Sequence, residues 1–228
     1  MNGSDDKSKA FDDALRSSVV AGWFDQAMTQ HRQGNLTQAQ VFYQRVLDAQ
    51  PDHPEALNFL GILMQQRGQS TQAEQFIRRA IRSTPDYAAA YTNLGNVLIV
   101  QKRYEDAIAA YRQATIYRAD EVEACVNMGA VLRGLGRLPE ALEAYRQASE
   151  RRPASAEIHH RLGLVLAELG QLEEAIVAQE AALRCDADHE FPWDFYRAMA
   201  DGGWIGIAIP EEHGGGGRGI AEASIVVE

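Results

Sequence analysis

Asn93 and Asn127 stand thirty-four residues apart, and each carries a carboxamide, which offers a hydrogen-bond donor and an acceptor on one short side chain. Repeated carboxamides can hold a polypeptide backbone whatever sequence it presents. Arg161 continues the same interval, and Asn96 follows Asn93 by three residues; a guanidinium here favours acidic or carboxylate-ended ligands over neutral ones. Other reactive side chains give less. Glu211 and Glu212 beside His213 form a carboxylate pair, but Pro210 before them and four glycines after make a surface turn with nothing to bury it. His159 and His160 are adjacent, so on a helix they point to different sides and cannot share a metal. Cys125, at a core position, and Cys185 read as two inert thiols. No catalytic residue, metal or cofactor is expected.

The elements that position these residues recur with one period. Ala39, Ala73, Ala107, Ala141 and Ala175 are spaced by thirty-four, as are Gly61, Gly95, Gly129 and Gly163, with Ala27 in the slot of the first unit. Gly34, Gly68, Gly136 and Gly170 share the period, with Lys102 the one departure, and Val46, Ala80, Ala114, Ala148 and Ala182 make a further register. Within a unit, Leu57, Leu60, Gly61 and Met64 form one stripe, Gly68 interrupts, and Ala73, Phe76, Ile77 and Ala80 resume it before Pro85. That spacing predicts helix, turn, helix, stop. Small residues at the crossing allow close approach of two helices, and the turn glycine permits the positive φ that ends the first. No such unit buries its own apolar face, so the units must stack.

Five units, starting near Val20, Pro54, Ala88, Val122 and Ala156, resemble tetratricopeptide repeats. The third reads Tyr91, Leu94, Gly95, Leu98, Ala107, Tyr111, Ala114; the fourth reads Cys125, Met128, Gly129, Leu132, Ala141, Tyr145, Ala148, Pro153. The first and fifth are least regular, with Gln26-Ala27 for Leu-Gly and Gln179 for the aromatic. The resemblance implies an all-α fold, a right-handed superhelical solenoid of five helical hairpins over 20–189. It also implies a concave groove lined by the first helices, whose sixth positions here are Asp25, Phe59, Asn93, Asn127 and Arg161. The paired asparagines are similar to the asparagine ladder of protein O-GlcNAc transferases. Asn96, Asn127 and Arg161 also match three of five positions of the carboxylate clamp in chaperone-binding repeat proteins, but Thr92 and Glu157 stand where that clamp has lysines, which turns attraction into repulsion at one corner. Asn93, Asn127, Asn96 and Arg161 are the expected peptide-binding residues.

Composition narrows the partners. The chain has 228 residues and a formal net charge of −10. Residues 171–228 hold twelve acidic and three basic side chains, so nearly all of that charge lies there. Lysine occurs only at Lys7, Lys9 and Lys102, which leaves no basic stripe for nucleic acid. No apolar run reaches the roughly eighteen residues of a membrane span, and residues 1–19 lack the apolar core of a secretory signal. A soluble, cytoplasmic protein is expected, with 1–19 a partly disordered tail.

After His189 the composition shifts. Residues 191–228 resemble the start of an acyl-CoA dehydrogenase N-terminal domain, with Gly203 to Gly206, Pro210, Glu211, Glu212, Gly214, Gly215, Gly217 and the apolar run Ile220 to Glu228 in the family's order. That family holds its flavin and catalytic glutamate in later parts, so the resemblance implies a truncated segment, 190–228, without flavin chemistry, and a colourless protein. Residues 192–201 are expected to cap the fifth unit through Trp193, Phe195, Tyr196 and Met199. The function expected is a non-catalytic scaffold that binds an extended segment of another protein. A fragment or fusion of an acyl-CoA dehydrogenase, and the repeat region of a bacterial glycosyl- or sulfotransferase, are the alternatives.

Overall fold

In the computed structural model, residues 3–118 and 120–185 are described, with side chains from 17 onward. Among them every regular element is a helix. In chain order these are α1 (Gly3–Arg32), α2 (Leu36–Ala49), α3 (Pro54–Gln66), α4 (Ser70–Ser83), α5 (Ala88–Val100), α6 (Tyr104–Tyr117), α7 (Val122–Gly134), α8 (Leu138–Arg151), α9 (Ala156–Glu168) and α10 (Leu172–Cys185). Four of the five first helices begin at the residue where the sequence pattern starts a unit. The exception is α1. It reaches back to Gly3, so the segment expected as a partly disordered tail is helical over most of its length. No proline and no glycine interrupts Ser4 to Ala21, so nothing in the sequence there breaks a helix.

The chain divides into two compact units, 1–144 and 145–228. In the first, α1 packs on α2, α3 on α4 and α5 on α6, and each hairpin's second helix then meets the first helix of the next. The first helices also touch in series, α3 with α5 and α5 with α7. In the second, α9 pairs with α10. The periodic small residues lie where the crossings need them: Ala39, Ala73, Ala107 and Ala141 are 0 % exposed. At Gly95 an added Cβ would run into the Tyr111 ring, and at Gly61 into the Ile77 side chain. A single methyl group at either place would force the hairpin apart.

All five turns inside the hairpins share one geometry. In the α7–α8 turn, Gly136 N–H donates to Arg133 O at 2.9 Å and Arg137 N–H to Leu132 O at 2.9 Å, the paired bonds of a Schellman motif. The residue at the turn has positive φ each time, 73° at Gly136 and 61° at Lys102. Lys102 therefore adopts the left-handed conformation because the repeat demands it, against the preference of a residue with a Cβ. Just beyond the turns, Arg103 reaches back to Glu74 at 3.0 Å and forward to Asp106, and Arg137 does the same with Glu105 and Glu140. Burial pushes the Glu74 carboxyl up, but hydrogen bonds from Arg78, Gln101 and Arg103 prevail and hold it below the usual carboxylate range. These pairs are largely exposed and fix orientation more than they add stability.

Candidate functional site

The residues singled out from sequence fall on both compact units. Asn93 and Asn96 lie on α5 and Asn127 on α7, all in the first unit; Arg161 lies on α9 in the second. The two sixth-position asparagines do not bond to each other. Asn93 Nδ2 donates to Asn58 Oδ1 at 3.0 Å, and Asn127 Nδ2 donates to Asn96 Oδ1 at 3.0 Å. Each amide thus stitches its helix to the first helix of the preceding hairpin. Asn58 is 2 % exposed and passes the chain on to Tyr87 Oη at 3.4 Å. Its role was hidden in the sequence, because it occupies the fifth position of its unit rather than the sixth.

Asn96 is the most heavily used of the four. Its Oδ1 also accepts from the Tyr111 hydroxyl at 2.6 Å. Tyr111 has its ring against Gly95 in the core and its hydroxyl on the amide pair. Burial, and then the charge of Glu123, push its phenol well above the usual tyrosine range, while the neighbouring Asn127 amide acts the other way. The hydroxyl therefore stays a donor at ordinary pH.

Arg161 is spoken for locally. Its Nη2 lies 2.8 Å from Glu157, one turn earlier on α9. Burial works against its charge, but hydrogen bonds with Glu157 and Tyr145 outweigh it. Thr92, at one lysine position of the clamp, is 3 % exposed and donates to Glu121 Oε1 at 3.1 Å. The second lysine position is Glu157 itself. Phe59 is packed in an aromatic group, parallel to Tyr43 at 6.2 Å. His159 bonds Pro153 O at 2.7 Å and His160 bonds Gln179 Oε1 at 3.0 Å, so the adjacent imidazoles do diverge. Among the described residues no cluster of three or more His, Cys, Asp or Glu side chains could hold a metal. None of the described helices is long and apolar enough to cross a membrane.

A pocket of about 490 Å³ opens between α5 and α7, with Asn96 and Asn127 in its wall. Ile99, Val131 and Leu135 supply apolar surface, Tyr104 closes one side, and Gly134 leaves part of the space unfilled. Its lining carries no charge. These lining residues were not among the candidates read from sequence. The signal is faint: Gly134 and Leu135 stand where the second unit of the pattern has Gln66 and Arg67. A second pocket, of about 430 Å³, lies among α8, α9 and α10, with Leu162, Leu166 and Val177 beside Arg146, Glu173 and Glu174.

Three tetratricopeptide-repeat family models match the chain, over residues 30–94, 88–115 and 126–190. The acyl-CoA dehydrogenase N-terminal domain model matches 168–228. Where the two kinds of match overlap, α10 packs on α9 as the second helix of a hairpin, and the geometry follows the repeat. Residues 190–228, including the segment expected to cap the array, lie outside the described residues. No curated protein matches the chain in sequence. Among solved structures, MamA is 23% identical with a TM-score of 0.64, over 71% of this chain and 95% of its own. PilF of Pseudomonas aeruginosa is 19% identical with a TM-score of 0.69, over 75% and 78%. YrrB, described as a TPR protein with an unusual peptide-binding site, is 21% identical with a TM-score of 0.59, over 80% and 93%. At these identities the likeness concerns the fold.

Proposed function

We propose that this chain, which belongs to the tetratricopeptide-repeat family, is a non-catalytic scaffold that holds an extended segment of another protein against the face built from α3, α5 and α7. The observation that carries the reading is the placement of Asn96 and Asn127 in the wall of a pocket whose other walls are largely apolar. Carboxamides at such a wall satisfy peptide groups that would otherwise be desolvated, and the apolar surface supplies the driving force. Asn93 extends the polar line along α5, and Arg161, on the other unit, is a separate contact for acidic side chains. The peptide-binding description of YrrB supports a protein partner. The array is taken to run over 20–189, between 1–19 and the dehydrogenase-like 190–228, in a cytoplasmic protein.

The test begins with a pull-down from cell lysate, followed by titration of the partner against wild type and the double variant Asn93→Ala, Asn127→Ala. Each hydrogen bond lost to the peptide should cost about 0.5–1.5 kcal/mol, so affinity should drop roughly tenfold; the variant also gives up the bonds to Asn58 and Asn96, so its thermal unfolding is measured beside the titration. Equal affinities would place binding on another surface. The match over 168–228 favours a second reading, in which the array is joined to an acyl-CoA dehydrogenase. Stoichiometric bound flavin in purified protein would support it against the scaffold.

A further inference from the structure

We propose that the pocket between α5 and α7 receives one apolar side chain of the docked segment, while Asn96 donates to the backbone carbonyl beside it. The inference rests on the scaffold reading and specifies what its site selects.

The polarity of the site follows from its hydrogen bonds. Asn96 Oδ1 accepts from Tyr111 at 2.6 Å and from Asn127 at 3.0 Å, which uses both lone pairs. Among the described residues nothing accepts from Asn96 Nδ2, so what Asn96 still offers a ligand is N–H alone. An acceptor matches it, and every residue of an extended chain carries one in its carbonyl. The rest of the lining sets the side chain. Ile99, Ala130, Val131 and Leu135 would surround the incoming group, and no charge among them could compensate a buried lysine or aspartate. Leu135, 40 % exposed, would gain cover on the same event.

Gly134 provides a clean probe. A Cβ built there meets nothing within 4 Å, and its φ is not positive, so a larger residue enters the pocket without disturbing the backbone. Gly134→Leu at the end of α7 is also favourable for helix formation. The full chain is panned against a displayed library of short random peptides, and enriched peptides are titrated against wild type, Gly134→Leu and Asn93→Ala. Enriched peptides should share one apolar residue, and changing that residue to glycine should weaken binding by about tenfold or more. Gly134→Leu should weaken the parent peptide to a similar degree and leave the glycine-substituted peptide unaffected, as expected when both changes remove one contact. Unchanged thermal unfolding of Gly134→Leu shows that the fold is kept. Peptides that depend on Asn93 but ignore Gly134→Leu would overturn the pocket assignment and leave the scaffold reading standing. Peptides that ignore both variants, or no enrichment at all, would overturn both.

Discussion

Two pockets of similar size illustrate what a repeat does and does not specify. The one between α5 and α7 is neutral, with two carboxamides in an apolar wall; the one among α8, α9 and α10 holds Arg146 paired to Glu174 at 2.9 Å, with Glu173 and His159 nearby. The hairpins that make them are alike in helix lengths and turn geometry. The period fixes the buried contacts, because stacking fails without them, and leaves the exposed positions free to differ. Chemistry on this scaffold is therefore a local property of each hairpin.

The same contrast exists inside the hairpins. Gly95 faces the fully buried ring of Tyr111, whereas Gly163, in the corresponding slot, faces the side chain of Gln179, a longer and more flexible group that hydrogen bonds of 3.0 and 3.2 Å tie to His160. Gly95→Ala should lower the free energy of unfolding by about 1–3 kcal/mol, and Gly163→Ala by about 1 kcal/mol, the cost of the hydrogen bonds that Gln179 gives up as it moves. Urea denaturation of the two variants measures the difference. Equal losses would mean that the second unit is as rigidly packed as the first.

Alkali should separate the hairpins in turn. Burial raises the phenols of Tyr43 and Tyr111 above their usual value of about 10, so both stay neutral in the folded chain when the unfolded chain begins to ionise. Their contribution is complete below about pH 10 and is lost as pH rises above it. In the α9–α10 hairpin the slot of Tyr111 holds Gln179, which does not titrate. Amide exchange on raising the pH should accelerate first in α1–α6, and Tyr111→Phe should blunt the effect. Uniform acceleration across α9 and α10 would assign the alkaline loss to another cause.

The smallest effect is expected at Lys102. Replacing it by glycine removes the penalty of a left-handed residue with a Cβ, partly offset by the greater freedom of glycine in the unfolded chain, for a net gain of about 0.5–1 kcal/mol. A rise in thermal midpoint of a few degrees registers it. No rise would show that the Lys102 side chain makes an interaction of its own in the turn.

Helix starts, turns and crossing residues were legible in the sequence because each is set by a residue type with a steric reason to be there, such as Gly95 under Tyr111. The amide stitches were half legible. Asn93 and Asn127 announce themselves by position, but their partners Asn58 and Asn96 depend on which way side chains turn between helices, and no one-dimensional spacing records that. The pocket was the least visible feature, since it arises from side chains that are missing or small, Gly134 and Ala130, and an absence on one helix matters only when a neighbour fails to fill it.

Tyr111 touches both the core, through its ring, and the binding face, through its hydroxyl. A ligand carbonyl that accepts from Asn96 Nδ2 polarises the amide whose Oδ1 takes the 2.6 Å bond from that hydroxyl, and the electronic state of the phenol changes with its hydrogen bonding. The near-ultraviolet spectrum of this one side chain should therefore shift on occupancy. The protein carries its own optical indicator of binding, readable without a label and silenced by Tyr111→Phe.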